Sequence, residues 1–183
     1  MNKLEEIKRV ANEAECLHSR TDLAVALDRI AQEITERLQD TNPILLCVLN
    51  GGIIPTGELA TRLHFPLEMD SIKASRYQGA TQGSTVEWSL KPTLSLQDRT
   101  VLIVDDVLDE GITLAEIRRY CEEQGARDVY AAVIVEKKLN KSKPAQAEFI
   151  AVQADDRYLF GYGMDYKSYL RNWPGIYACT TVY

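Results

Sequence analysis

Residues 101–113, VLIVDDVLDEGIT, are the strongest indication of the fold in this sequence. The first four of these residues form a continuous apolar run, which is typical of a strand buried on both faces of a sheet. A helix is predicted to follow from about Thr113 to Gln124, with Gly125 as its C-terminal stop. A buried strand that passes through an acidic, glycine-containing loop into a helix is a repeating unit of parallel α/β sheets.

The same buried-strand pattern recurs at residues 44–49, 129–135 and 149–152. After the first of these strands, a helix is predicted from Pro55 to about His64. Two amphipathic helices are predicted before the first strand. The apolar stripe of the first helix consists of Leu4, Ile7, Ala11 and Ala14. That of the second consists of Leu23, Leu27, Ile30, Ile34 and Leu38. Ser19 and Asp22 are predicted to form a capping box at the start of the second helix. Strands that alternate with helices predict one α/β domain, a parallel sheet flanked by helices, followed by an irregular aromatic tail.

Composition and charge narrow the class of protein. The 183 residues carry 21 Lys plus Arg against 27 Asp plus Glu, a net charge of −6, and 45% of them are hydrophobic. These values are typical of a globular chain, and the negative charge disfavours binding to nucleic acid. The longest apolar runs are far shorter than the ~20 residues that cross a bilayer. Four widely spaced cysteines predict free thiols, so we expect a cytoplasmic protein with neither a nucleic-acid nor a membrane partner.

Three strand ends are predicted to meet at one crevice, because ligands of open parallel sheets bind beyond the carboxyl ends of the strands. These ends carry Asn50-Gly51-Gly52, Asp105-Asp106 and Glu136-Lys137-Lys138. The loop that follows the aspartates contains Gly111 and opens a helix, so its backbone N–H groups suit a phosphate. Carboxylates accept hydrogen bonds and therefore suit the hydroxyls of a sugar. A ligand with a phosphate beside a diol would use both features.

Each of these features also has a purely structural interpretation. Asp105 and Asp106 could cap a solvated turn, and Thr113 with Glu116 could form an ordinary capping box. A solvated basic face could contain Lys137, Lys138, Lys141 and Lys143. The remaining structural interpretations are a tight turn at Gly51-Gly52, core packing of Tyr158 and Phe160, and a turn at Asp165.

Residues 101–113 resemble the phosphoribosyl-pyrophosphate signature of the type I phosphoribosyltransferases, in which an apolar strand and two acidic residues precede two apolar residues and Asp-Thr-Gly-x-Thr. With LNGG at 49–52 and GYGMDY at 161–166, the chain looks like the hypoxanthine-guanine branch of that family. The resemblance runs from about residue 45 to 171. It implies a single phosphoribosyltransferase domain with a core at about 40–137, a hood from 1–39 and 138–183, and a mobile lid at about 75–87.

The resemblance implies roles for the residues around the sugar. Asp105 and Asp106 would hold the ribose hydroxyls. The 5′-phosphate would lie against Asp109, Glu110, Gly111, Ile112 and Thr113. Asp109 would also be the catalytic general base near purine N7. The pyrophosphate loop would consist of Leu49, Asn50, Gly51 and Gly52, with a non-proline cis peptide just after the leucine.

The base and metal sites are implied in the same way. Lys137 would donate to the purine 6-oxo group, Tyr158 would stack on the base, and Leu159 would supply backbone contacts. Asp165 would ligate Mg²⁺, with Asp105 and Asp106 as further ligands. Pyrophosphate would meet Arg171, and Tyr77 would approach the substrate from the lid.

The reaction implied by the resemblance is a magnesium-dependent purine salvage transfer. Phosphoribosyl pyrophosphate and a 6-oxopurine base, hypoxanthine or guanine, would give IMP or GMP and pyrophosphate, in a homodimer or homotetramer. The chain departs from the family pattern at Glu110, where threonine is usual, and at Asn50, where lysine is common. In the lid, Arg76-Tyr77 after Ser75 replaces a Ser-Tyr pair. A carboxylate at position 110 either points away from the phosphate or weakens its binding.

Two functions of other classes stay open at this point. A regulator with the phosphoribosyltransferase fold could sense phosphoribosyl pyrophosphate and bind nucleic acid, although the net charge of −6 disfavours it. An aspartate-based phosphatase or receiver domain would also place carboxylates at a strand end. It would leave Gly111, Thr113 and Lys137 unexplained.

Overall fold

The computed structural model describes residues 2–76 and 86–180, and in these residues the chain forms four helices and nine strands. In chain order they are α1 (Lys3–Glu13), β1 (Glu15–His18), α2 (Arg20–Leu38), β2 (Ile44–Val48), α3 (Ile53–Ala60), β3 (Glu68–Arg76), β4 (Val86–Leu90), β5 (Thr100–Leu108), α4 (Ile112–Glu123), β6 (Asp128–Lys138), β7 (Phe149–Asp155), β8 (Leu159–Phe160) and β9 (Ile176–Ala178).

The main sheet has six strands in the order β4-β3-β2-β5-β6-β7. All neighbours pair in parallel except β4, which runs antiparallel to β3 at one edge. All five residues of β2 are buried, as the continuous apolar run predicts. The predicted parallel sheet flanked by helices is therefore confirmed.

Helices cover both faces of the main sheet. The stripe predicted for α2 is buried throughout and packs, with Leu59 of α3, on the face that carries Leu45 and Leu102. On the opposite face, Leu114 and Ile117 of α4 pack against alternate residues of the same strands. Two apolar layers thus hold the sheet from both sides and leave its carboxyl edge open.

A smaller antiparallel sheet has the strand order β1-β9-β8, and α1 packs against it. The predicted stripe of α1 is partly wrong, because Ile7 and Val10 are its buried residues while Leu4 is 58% exposed. The tail predicted to be irregular contains β8 and β9. These strands have two and three residues, too few to show a periodic pattern, and β1 has four.

Several element boundaries differ from the predictions in ways that matter for the crevice. Asp105 and Asp106 lie inside β5, which continues to Leu108, so they do not cap a turn. Helix α4 begins at Ile112 after a left-handed Gly111, with no side-chain capping bond, so no capping box forms at Thr113. Helix α3 starts two residues before Pro55 and ends at Ala60.

The remaining general predictions concern cysteines, the end of α4 and membrane spans. The four cysteines are free thiols, as predicted. Gly125 has φ of +81° just after α4, which confirms it as the stop of that helix. Among the described residues, no helix is long and apolar enough to cross a bilayer.

Candidate active site

Two adjoining cavities open at the carboxyl edge of the main sheet. The first, here called the loop cavity, has a volume of about 210 Å³ and is lined by Asp105, Val107, Leu108, Asp109, Glu110, Gly111, Thr113, Leu114 and Val133. The second, here called the lysine cavity, has a volume of about 260 Å³ and is lined by Asp106, Val107, Asp109, Lys137, Tyr158, Leu159, Met164 and Asp165. Val107 and Asp109 line both cavities, so these residues form their common wall.

The Asp105-Asp106 pair lies inside the last part of β5, and its two side chains line different cavities. Asp105 Oδ1 accepts a hydrogen bond from the Asp106 backbone N–H at 2.9 Å. Burial raises the pKa of Asp105 well above its ordinary value, and the neighbouring Asp106 charge raises it further. Burial also raises the pKa of Asp106, against the opposing effect of the Arg171 guanidinium. Two desolvated carboxyls side by side favour a ligand that brings hydrogen-bond donors or a cation.

The loop from Asp109 to Thr113 wraps the mouth of the loop cavity. Gly111 has φ of +80°, and a Cβ there would lie 3.1 Å from the Ala145 carbonyl oxygen, so the turn requires glycine. The first backbone N–H groups of the 12-residue α4 lie beyond this turn and form an anion site at a helix N-terminus. Glu110 pairs with Lys141, its Oε1 lying 2.5 Å from the Lys141 ammonium. This pairing supplies the positive charge that offsets a carboxylate at position 110.

Lys137 lies between two carboxylates in the lysine cavity. Its Nζ is 3.2 Å from Asp109 Oδ2 and 3.4 Å from Asp156 Oδ1, and its side chain is only 13% exposed. A solvated basic face at this position is therefore the wrong interpretation. Tyr158 is 41% exposed and borders the same cavity, with its ring edge-on to Tyr166 at 5.4 Å between centroids. The cavity thus combines an ammonium donor with an aromatic face.

The turn after β2 packs directly against the second aspartate of β5. The Leu49–Asn50 peptide bond is cis, as the resemblance implies. A Cβ on Gly51 would lie 2.1 Å from Asp106 Oδ2, and one on Gly163 would lie 2.1 Å from the Gly51 carbonyl oxygen. Gly51 and Gly163 therefore do more than complete a tight turn, since their lack of side chains lets two backbones meet at Asp106.

Arg171 connects the aspartates of two different elements. Its guanidinium lies 2.6 Å from Asp165 Oδ1 and 3.8 Å from Asp106 Oδ2, and it donates to the Gly163 carbonyl at 2.6 Å. The described residues contain no ready cluster of three His, Cys, Asp or Glu side chains for a metal. Mg²⁺ keeps several waters and uses one or two protein carboxylates. Asp165 beside the desolvated Asp106 meets that requirement, so the residues fit Mg²⁺.

A model of the phosphoribosyl transferase domain matches residues 14–167. The chain belongs to this family. The matched residues include the turn after β2, the loop that follows β5, Lys137 and Asp165, and the match ends before Arg171. The family assignment therefore covers both cavities described above.

Named relatives within the family agree with one another. The chain is 30% identical to a hypoxanthine-guanine phosphoribosyltransferase of Streptococcus pneumoniae over 161 residues, which is 87% of this chain and 89% of that one. It is 27% identical to a hypoxanthine-guanine-xanthine phosphoribosyltransferase of Tritrichomonas foetus, over 87% and 88% of the two chains. A crystal structure of a Staphylococcus aureus hypoxanthine phosphoribosyltransferase superposes with a TM-score of 0.86 at 23% identity, over 98% of this chain and 96% of that one, and shares the fold.

Within this phosphoribosyltransferase fold, the residues predicted for the site are brought together with three qualifications. Ile112 and all four residues of the predicted pyrophosphate turn, Leu49–Gly52, border neither cavity; within that turn Gly51 lies against Asp106 and Asn50 is exposed. Arg171 reaches the site through its ion pairs. Tyr77 and most of the predicted lid at 75–87 lie outside the described residues.

Besides apolar lining residues such as Val107, three residues of this site were not predicted from the sequence. Asp156 holds the Lys137 ammonium, and Met164 borders the lysine cavity. Lys143, interpreted only as part of a basic face, is 9% exposed and donates to backbone carbonyls beside the loop cavity. The acidic pair Asp155-Asp156 just before Tyr158 was the available signal for Asp156. No comparable pattern marks Lys143.

Proposed function

We propose that this chain is a magnesium-dependent purine phosphoribosyltransferase that converts hypoxanthine or guanine and phosphoribosyl pyrophosphate into IMP or GMP and pyrophosphate. The observation that carries the proposal is that Asp109 lines both the loop cavity and the lysine cavity. A sugar phosphate in the first and a base in the second would meet at this residue. The relatives from Streptococcus pneumoniae and Tritrichomonas foetus carry the names of hypoxanthine-guanine enzymes, which supports the same reaction.

The sugar phosphate would occupy the loop cavity. Its 5′-phosphate would accept hydrogen bonds from the backbone N–H groups between Asp109 and Thr113, at the positive end of α4. The ribose hydroxyls would donate to Asp105 and Asp106, whose burial makes hydrogen-bond donors favourable partners. The pyrophosphate would lie between the turn Leu49–Gly52 and Arg171, with Mg²⁺ held by Asp165 and, through the same acidic cluster, by Asp105 and Asp106.

The purine would occupy the lysine cavity. Lys137 would donate to its 6-oxo group, which selects hypoxanthine or guanine against adenine, because the 6-amino group of adenine offers a donor at that place. Tyr158 would stack on the ring with its exposed face, and Leu159 would contact the base through its backbone.

Transfer breaks the bond from ribose C1′ to pyrophosphate and forms a bond from C1′ to the purine N9. Positive charge develops on the sugar and negative charge on the leaving group, which bound Mg²⁺ neutralises when present. Asp109 acts as the general base that takes the proton from the purine near N7 as the new bond forms. Arg171 keeps a positive charge beside the departing pyrophosphate.

The location and assembly of the protein are proposed on the same basis. We expect it in the cytoplasm because its four cysteines are free thiols, and as a homodimer or homotetramer because the resemblance to the hypoxanthine-guanine branch implies one. The nucleic-acid-binding regulator is not favoured, because the net charge is −6 and the named relatives are transferases.

The experiment that tests the proposal is turnover with phosphoribosyl pyrophosphate and Mg²⁺ against hypoxanthine, guanine, xanthine, adenine and uracil, one base at a time. The ultraviolet spectrum of each nucleotide identifies the product. Magnesium-dependent formation of IMP or GMP, without AMP, is the expected result. Binding of phosphoribosyl pyrophosphate without turnover of any base would contradict the proposed function and favour the regulator.

A further inference from the structure

Lys143 is a buried lysine beside the two cavities with no place in the proposed chemistry. Its side chain is 9% exposed. Its ammonium donates to the Lys137 carbonyl at 2.6 Å and to the Leu108 carbonyl at 3.2 Å, and lies 3.5 Å from Glu136 Oε1. Three acceptors therefore surround the three N–H donors of one buried charge.

The two carbonyls that Lys143 joins belong to neighbouring strands at the point where these strands part. The ladder between β5 and β6 ends with the pair Leu108–Glu136. Beyond this pair, the chain leaves β5 after Leu108 and enters the loop that begins at Asp109. Strand β6 instead continues beside β7, where Lys137 pairs with Ala154. The Lys143 ammonium thus connects β5 and β6 at the point where backbone pairing between them ends.

The other end of the Lys143 side chain supports the anion-binding loop itself. A Cβ on Gly111 would lie 3.2 Å from the Lys143 Cβ and 3.1 Å from the Ala145 carbonyl oxygen. The segment that carries Lys143 and Ala145 therefore packs against the left-handed turn at Gly111. Lys143 therefore has its Cβ beside the turn of the loop cavity and its ammonium on the backbone carbonyl of Lys137.

We propose that Lys143 is a positioning residue that fixes the loop Asp109–Thr113 relative to Lys137, and so sets the distance between the phosphate and the base of a bound nucleotide. This inference rests on the proposed function, since it takes the loop as the phosphate site and Lys137 as the base site. Lys143 itself touches neither group of the nucleotide. Its contribution is to hold two binding elements in one register.

Calorimetric titration of IMP, ribose 5-phosphate and hypoxanthine into the folded protein tests this role. Lys143→Met shortens the unbranched side chain by one atom and removes its charge and donors. Because hydrogen bonds from a charged donor are lost, affinity for IMP, which spans both elements, is expected to fall about tenfold. Affinity for ribose 5-phosphate and for hypoxanthine, each of which meets one element, is expected to fall much less.

The matched control is Lys138→Met, which makes the same chemical change at an exposed neighbour and is expected to bind all three ligands like the wild type. Lys143→Arg retains the charge and donors, and recovery of most of the IMP affinity is expected. If Lys143→Met does not fold, Lys143→Gln, which keeps a shorter neutral donor, replaces it in the same comparison.

Two results would overturn the inference. Unchanged affinities with only a lower melting temperature would make Lys143 a stabilising residue alone. An equal loss for ribose 5-phosphate and IMP would confine its effect to the loop. Both results are interpreted only if the wild-type protein turns over hypoxanthine or guanine. If the wild-type protein shows no such turnover, the proposed function fails, and this failure is distinct from a failure of the role of Lys143.

Discussion

Lys137 Nζ and Asp109 Oδ2 lie 3.2 Å apart and form an ion pair at the wall that the two cavities share. The donor proposed for the purine 6-oxo group and the general base proposed for its N7 therefore hold each other before any base is bound. The 6-oxo group and N7 are neighbours on one edge of a purine. A pair of side chains at hydrogen-bonding distance matches that edge with one donor and one acceptor.

Asp109→Asn is expected to lower kcat about 10²–10⁴-fold, the usual contribution of a general base. The amide keeps the size of the carboxylate and loses its ability to take a proton. Affinity for IMP is expected to be close to that of the wild type, because binding needs no proton transfer. Steady-state kinetics and calorimetric titration of IMP check both parts. Asp155→Asn, an exposed aspartate at the end of β7, serves as the control, and an unchanged kcat in Asp109→Asn would remove its assigned role.

Lys137→Gln is expected to lower kcat/KM for hypoxanthine and guanine about 10- to 100-fold, the value of one charge-assisted hydrogen bond. A glutamine amide can donate or accept, so discrimination against adenine is expected to weaken. The measurement is kcat/KM for the three bases in parallel, with Lys138→Gln as the control at an exposed site. Equal discrimination in wild type and variant would contradict the 6-oxo role of Lys137.

Lys141→Met is expected to raise KM for phosphoribosyl pyrophosphate about two- to fivefold, within the range of exposed ion pairs. Lys141 pairs with Glu110, and its removal takes one positive charge away from that carboxylate beside the phosphate site. Adding Glu110→Gln removes the repulsion as well, so the double variant is expected to return toward the wild-type KM. KM measured at low and high salt checks the electrostatic origin, since screening should reduce the difference. A double variant no better than Lys141→Met would refute this account of Glu110.

Asp105→Asn is expected to raise the melting temperature of the ligand-free protein by about 2–4 °C, which corresponds to about 1 kcal/mol in a chain of this size. The amide oxygen can still accept the hydrogen bond from the Asp106 N–H, and the desolvated charge is gone. Turnover is expected to fall at least about tenfold, because a neutral amide accepts a ribose hydroxyl less strongly.

The pH dependence of that stabilisation follows from the sign of the pKa shift. Burial raises the pKa of Asp105 above its ordinary value of 3.8 in the folded chain. The folded protein therefore loses stability as pH rises from about 3.8 toward the raised pKa, while below that range the carboxyl is protonated in both states. The advantage of Asp105→Asn is expected to be full above the raised pKa and to shrink as pH falls toward 4. Melting temperatures of the wild type, Asp105→Asn and the control Asp155→Asn are measured across this pH range. An advantage of Asp105→Asn that grew on acidification would refute the assigned effect of the buried carboxyl.

Gly163→Ala is expected to destabilise the protein by about 3 kcal/mol and to abolish most activity. Its φ of +111° and the 2.1 Å approach of a Cβ to the Gly51 carbonyl oxygen leave no room for a methyl group. Gly57→Ala is the matched control, because a Cβ there meets nothing within 4 Å. That control, inside α3, is expected to stabilise the fold by about 0.4–1 kcal/mol. Denaturant titration and turnover of both variants test the pair, and a fully active, stable Gly163→Ala would show that the two backbones can separate.

The parts of the fold that could be predicted are those written in local sequence patterns. Residues 44–48 and 101–104 are apolar without interruption and form buried central strands. The stripe from Leu23 to Leu38 is buried along its whole length. Once these strands are parallel, their ends must meet at one edge, so the neighbourhood of Asp109 and Lys137 follows from the pattern.

The parts that could not be predicted depend on segments far apart in the chain. Leu4 has helical spacing with Ile7, but Ile7 and Val10 pack into the cluster with Phe160 whereas Leu4, in the first turn of α1, is exposed. Glu110 finds Lys141, and Lys143 finds the Leu108 carbonyl, only because residues 139–148 fold back beneath the loop. No periodicity records such a return, so these pairings became visible only in three dimensions.

The position of β9 at the centre of the small sheet has a consequence for synthesis on the ribosome. β9 pairs with β1 on one side and, on the other, with β8, which carries Leu159 of the lysine cavity. A nascent chain that has reached only the end of β7 already contains every strand of the main sheet, but it lacks both β8, which carries Leu159, and β9, with which β8 pairs. The loop cavity can therefore form during translation, whereas the lysine cavity must wait until residues 176–178 have left the exit tunnel.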